Sequence, residues 1–317
     1  HEYSAKKDNV KDFFDLGWSQ NHNIALSGVS GDSKMNYYLS YSYSNDDGIM
    51  PKDYDTFERN TIAFRGSYDA ADWLKVSSSL NFARTATDAV GSFQGTSVID
   101  GLFEMPRDIS IVDMKDTSSP FNTPEAYFTP YGITNPYWSL ENNYNHTASK
   151  QIYGKIQADI KPIKELTFSY RMGFDYTDYD VKIGSPQIAL DDALIDNDYG
   201  YAPSNMNQSG YVYARYGRHL ELNHDFLANY ADKFLDNRLD VNINAGVNMN
   251  ERSFTRITGQ TDDLTFHTGF WDLSNGATKT TLGESQNKRR LVGLFGDVTL
   301  GWDDMVYLNL TARNDWS

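Results

Sequence analysis

The sequence predicts an all-β fold of the transmembrane barrel type, and three observations carry the prediction. Apolar and polar residues alternate over many segments. Those segments are longer than ordinary strands. The connections between them alternate between short and long along the whole chain. Alternate side chains of a strand point to opposite faces, so alternation marks a sheet with two unlike sides.

Strands are expected at 21–30, 35–45, 56–68, 73–86, 148–161, 166–180, 211–230, 238–251, 288–302 and 306–315. The stretch LDVNINAGVNMN is the clearest. Leu239, Val241, Ile243, Ala245, Val247 and Met249 fall on one parity, and the other is nearly all carboxamide. In 166–176, Leu166, Phe168, Tyr170, Met172, Phe174 and Tyr176 oppose Thr167, Ser169, Arg171, Gly173 and Asp175. Ile152, Ile156, Ala158 and Ile160 oppose Tyr153, Lys155, Gln157 and Asp159. Val306, Leu308, Leu310 and Ala312 oppose Tyr307, Asn309, Thr311 and Arg313. Helical periodicity is weak.

Length separates two all-β architectures. Ordinary strands average about 5–6 residues. Twelve residues at about 3.3 Å, tilted about 45°, cover roughly 28 Å, the thickness of a hydrocarbon core. On the barrel reading the apolar stripe faces lipid and the carboxamide face a wet lumen. A soluble sandwich, with apolar residues in a core and Asn in water, is the competing arrangement.

Composition narrows the function classes. The chain has 317 residues and a formal net charge of −15, which argues against nucleic-acid binding. There is no Cys, so disulfides, thiolate zinc sites and thiol nucleophiles are excluded. Mean hydropathy is −0.59, and no apolar run approaches the roughly 18 residues of a membrane helix. Transmembrane strands hide their apolar residues in alternation, so this does not count against a barrel. No nucleophile elbow, His-Glu-x-x-His or phosphate loop is present, and no enzyme activity, cofactor or metal is expected.

Short turns are expected at 31–34, 69–72, 162–165, 231–237 and 303–305, with long links at 46–55, 87–147, 181–210 and 252–287. Link 87–147 holds five of the nine prolines. Tyr127, Phe128, Tyr131, Tyr137 and Trp138 cluster in it as candidate substrate contacts, because aromatic faces stack on sugar rings and peptide side chains. The same rings could instead pack the loop. Asp191, Asp192, Asp196 and Asp198 could offer oxygen ligands to calcium, but the spacing is not that of an EF-hand, and a solvated loop fits better. His224 lies in apolar register with no partner spacing for a metal. Lys288, Arg289 and Arg290 begin a strand, where they could meet lipid phosphates or simply water.

Residues 20–50, QNHNIALSGVSGDSKMNYYLSYSYSNDDGIM, and 57–85, FERNTIAFRGSYDAADWLKVSSSLNFART, resemble the early barrel of SusC/RagA-type TonB-dependent outer-membrane transporters. Arg59, Asn60, the Asp72–Lys75 turn, Asn135-Pro136 and 307–317 add to the likeness. At its end the family has Arg followed by Asp-Gly-Ser or a variant; here Asp315-Trp316-Ser317 stands. The resemblance is dense only in 20–85 and 290–317.

It implies about ten strands of a 22-stranded, plugged barrel in a Gram-negative outer membrane. Residues 1–19 would belong to an outer loop and 20–317 to the barrel, with long outer loops at 87–147, 181–210 and 252–287. The plug would lie outside this chain. Implied partners are a SusD-like lipoprotein lid, TonB acting through the plug segment, outer-membrane lipids and an oligosaccharide or peptide cargo, with pairs of transporter and lipoprotein assembling as dimers. A passive porin, or a soluble all-β glycan-binding module or glycosidase, are the alternatives.

Overall fold

The computed structural model describes residues 3–91, 97–119, 122, 135–188, 208–267 and 269–317. Ten strands form one antiparallel sheet in which each strand pairs with its sequence neighbours. They are β1 (Trp18–Val29), β2 (Met35–Asp47), β3 (Thr56–Ala71), β4 (Leu74–Asp88), β5 (Tyr144–Ile163), β6 (Leu166–Ser185), β7 (Tyr211–Phe234), β8 (Leu239–Asp262), β9 (Thr281–Trp302) and β10 (Val306–Trp316). β1 and β10 lie at the two edges of the order.

All ten expected strands are present, and most run further than the alternation suggested. β8 continues to Asp262, and β9 already begins at Thr281. Much of the expected link 252–287 is therefore strand. The reason is chemical. Alternation is visible only while one face is apolar, and residues 251–262, ERSFTRITGQTD, are mostly polar on both faces. The backbone ladder continues there without a sequence signature, from Asn250↔Leu291 to Gln260↔Thr281.

Register joins the apolar parities into one stripe. Leu239, Val241, Ile243, Ala245, Val247 and Met249 pair with Trp302, Leu300, Val298, Gly296, Leu294 and Val292. Further round the sheet, Leu39, Phe64, Leu80, Gly154 and Phe174 share a rung. Ile24, Leu26, Ile62, Ile156, Phe226 and Leu294 are all more than a third exposed. The stripe is thus a surface of the sheet and not a core.

The lower edge of the stripe measures the strand tilt. Tyr68 on β3 is in register, strand by strand, with Val76, Ala158, Tyr170, Phe226, Val247 and Leu294. On β9 the stripe ends eight residues beyond Leu294, at Trp302. That is about 26 Å along the strand for about 29 Å across six strand spacings, a tilt of about 40°. Barrel strands tilt by about this much. At that tilt the run from Leu239 to Met249 spans about 25 Å, the height of a barrel's apolar band.

The ends of the sheet differ. At one end the turns are tight. Asp303 and Asp304 both have positive φ (49° and 54°) and Met305 N–H donates to Trp302 O at 2.9 Å, the type I′ geometry that matches strand twist. At the other end the links are long and carry the main core. Phe13, Val98, Leu102, Met105, Ile111, Tyr137 and Leu140 bury one another there. The link between β8 and β9 also packs onto the sheet: Gly276 lies against the fully buried Thr261, Trp271 against Gly184 and Leu273 against Gly259.

Candidate functional site

The polar face is a hydrogen-bonded net. Asn229 Nδ2 donates to Asn242 Oδ1 (2.8 Å) and Asn244 Oδ1 (2.6 Å), and Asn244 Nδ2 donates to Asp297 Oδ1 (3.0 Å). Asn248 Nδ2 donates to Asp225 Oδ1 (2.6 Å) and Asn223 Oδ1 (3.0 Å). Asn250 and Arg252 both reach Glu221 Oε1, at 2.8 and 3.0 Å. Gln157 accepts from Arg171 Nε at 3.1 Å and donates to Asp159. Each carboxamide is one rung or one strand from a partner, because the two-residue period puts polar groups on one side in facing ranks. Such a surface offers many shallow donors and acceptors.

The long-link end is held by buried caps. Helix α1 (Val98–Glu104) is capped by Ser97, whose hydroxyl accepts from Asp100 N–H at 3.1 Å. Helix α2 (Pro136–Asn142) starts at Asn135, fully buried. Its Oδ1 accepts from Tyr137 N–H at 3.0 Å, and its Nδ2 donates to Met114 O (3.1 Å) and Asn122 O (2.8 Å). Pro136 suits the first helical position, where no N–H is needed.

Of the aromatic candidates, Tyr127, Phe128 and Tyr131 lie outside the described residues. So does the acidic run 191–198. Tyr137 is 4% exposed and packs on Phe13. Burial, with a smaller push from Asp15, raises its phenol to about 12. Its neighbour Trp138 is partly exposed. The structure therefore separates the two adjacent rings: one is committed to loop packing and the other remains partly accessible.

A cleft of about 340 Å³ lies beside this unit, lined by Tyr54, Asp88, Glu141, Tyr144 and Trp271 among others. Tyr144 and Trp271 stack with centroids 6.4 Å apart. Burial, then the Glu141 carboxylate, push the Tyr54 phenol above its ordinary value. Sequence reasoning missed this cleft, because Trp271 comes from a different link and no spacing joins it to Tyr144. The cleft combines aromatic surface with carboxylate acceptors.

His224 Nδ1 lies 2.9 Å from the Tyr170 hydroxyl, and the two rings stack. Lys288 and Arg290 both pair with Glu251. Among the described residues no group of three His, Asp or Glu is placed to hold a metal ion.

No protein-family model matches the chain, and no curated protein does. Solved structures do. The RagAB peptide transporter matches 98% of this chain at 20% identity with a TM-score of 0.73. The RagAB peptide importer in its 'open-open' state matches 97% at 21% identity and 0.74. The ferric-catecholate import receptor Fiu from E. coli K12 matches 95% at 10% identity and 0.52. This chain spans about a third of the RagAB chains, 33% and 32%, and 43% of Fiu. The likeness establishes the fold: ten consecutive antiparallel strands like part of the barrel in these transporters.

Proposed function

We propose that this chain is part of the barrel wall of a TonB-dependent importer of the SusC/RagA type in a Gram-negative outer membrane. The observation that carries the reading is the division of the sheet into two unlike faces. A band about 25 Å tall of exposed apolar side chains lies on one face, and a hydrogen-bonded polar net lies on the other. Lipid on one side and water on the other is the arrangement that matches both.

The cargo is a peptide or an oligosaccharide. Neighbours with this fold include a peptide importer, which favours the peptide. The polar face would line the path and offer exchangeable hydrogen bonds without a deep trap. Trp138, with Tyr127, Phe128 and Tyr131, would meet cargo at the mouth. A SusD-like lipoprotein would close the long-link end, TonB would act through a plug segment, and the paired units would assemble as dimers. The barrel wall itself has no catalytic role in this reading.

The test is uptake of a labelled peptide and a labelled oligosaccharide by cells carrying the full-length protein, with and without a protonophore. Uptake that collapses with the proton gradient supports the importer. Uptake indifferent to the gradient makes the protein a passive porin. Cargo cleaved by the purified protein would overturn the non-enzymatic reading.

A further inference from the structure

The first polar rung beyond the long-link edge of the stripe is unusually cationic. On β3 to β7 it holds Asn60, Arg84, Lys150, Asp178 and Arg218, all in one register. Directly below them stand Ile62, Phe82, Ile152, Tyr176 and Leu220. Arg84, Lys150 and Arg218 are exposed, and none is in an ion pair among the described residues. Arg84 and Lys150 sit directly opposite each other, where like charges destabilise a sheet. Asp178 faces both Lys150 and Arg218 but pairs with neither. Glu58 and Asp180 lie one rung further out, and Asp88 two. In a chain of net charge −15, the rung next to the apolar edge holds three cations and one carboxylate, whereas the rungs beyond are mixed: Asp88 pairs with His146, which faces Lys182. On β8 and β9 the arrangement differs, because Glu251 neutralises Lys288 and Arg290.

We infer that Arg84, Lys150 and Arg218 seat the phosphate groups of an anionic glycolipid of the outer leaflet, whose acyl chains lie along the stripe. This rests on the reading that the stripe faces lipid. With strands tilted about 40° the register line climbs about 9 Å from Arg84 to Arg218, through the headgroup layer, and along it the aliphatic stems of Arg and Lys cover apolar surface while their charges reach outward. A guanidinium takes two phosphate oxygens at once and an ammonium adds a compact charge. A bound phosphate also relieves the repulsion between Arg84 and Lys150. The result is a lipid held by the wall, on the side away from the cargo path.

Native mass spectrometry of the full-length protein, incubated with diphosphoryl lipid A or with its dephosphorylated form, tests this. The wild type is expected to prefer the phosphorylated lipid. Because each basic group near an anionic surface adds to the attraction, R84Q/K150Q/R218Q should weaken that preference at least about tenfold. The polar-face variant R252Q should keep it. Equal retention by the triple variant, or equal loss in R252Q, overturns the inference. Quenching of Trp302 by bromine-labelled acyl chains, read as the difference from W302F, separates the two failures. Quenching without phosphate preference sinks the lipid seat alone. No quenching sinks the lipid-facing reading as well.

Discussion

The rings of Phe13 and Tyr137 meet with centroids 4.7 Å apart and planes inclined at 51°. This contact ties the segment before β1 to the helix that leads into β5. Phe13 is 1% exposed and also touches Phe14 edge-on. The long-link end thus has a core of its own, separate from a sheet whose apolar residues face outward.

Removing the Phe13 ring should open that core and leave the sheet intact. Phe→Ala in a packed core costs about 3–5 kcal/mol. In F13A, amide hydrogen exchange should speed up over 97–119 and 135–143 while β6 to β9 keep wild-type protection. Uniform loss of protection across both regions would mean that loop unit and sheet unfold together.

That core was the least legible part of the sequence. The strands announced themselves because lipid-type and water-type faces impose a two-residue period. Phe13 and Ile111 belong to no period, and their partners are distant in sequence. Tyr137 could be read as cargo-facing or as packing, since an aromatic residue in a loop fits both, and only its neighbours in space give its place. One local signal was available. Asn followed by Pro is the pattern of a helix cap and first turn. Asn135-Pro136 stood out as part of a family likeness, yet the same dipeptide marks the start of α2.

Asn135 is more than a cap, and two substitutions separate its roles. N135D keeps an acceptor for Tyr137 N–H but removes the donor to Met114 O and Asn122 O. It also places a carboxylate in a fully buried site. N135A removes all three bonds, with each stranded buried group costing about 1–3 kcal/mol. If the donations matter, both variants should expose the 97–143 link to protease. If capping alone matters, N135D should resist like the wild type.

The short-turn end predicts a pH response. Arg238 grips Asp303 through Nε (2.8 Å) and Nη2 (2.7 Å), joining the β7–β8 turn to the β9–β10 turn, and its guanidinium lies 5.0 Å over Trp302. The hydrogen bond from Arg238 holds the Asp303 carboxyl below its ordinary value. A depressed carboxyl pKa adds stability above the unfolded value, about 3.9, and loses it as pH falls through the folded value. Exchange of the Asp303 and Met305 amides should therefore quicken, after correction for intrinsic rates, below about pH 4. R238Q should show the faster exchange already at neutral pH and no further step in acid. An unchanged acid step in R238Q would place its origin elsewhere.

The two faces of β8 give the sharpest contrast, because adjacent residues should respond oppositely to one charge. Ile243 is 39% exposed on the stripe, between Val241 and Ala245 and opposite Val298. Asn244 lies on the polar face, bonded to Asn229 and Asp297. In a bilayer, I243R puts a guanidinium near mid-height of the apolar band, where Arg costs about 2–4 kcal/mol. N244R puts the same group beside Asp297, which can pair with it, so the lost carboxamide bonds are partly offset. Folding of the full-length protein into lipid vesicles, followed by its shift on unheated gels, should be impaired by I243R and nearly normal for N244R. A soluble sandwich with the same alternation would put Ile243 in a dry core and would fold without lipid. Indifference of I243R to lipid would therefore count against the barrel, and impairment only at the lipid step would count for it.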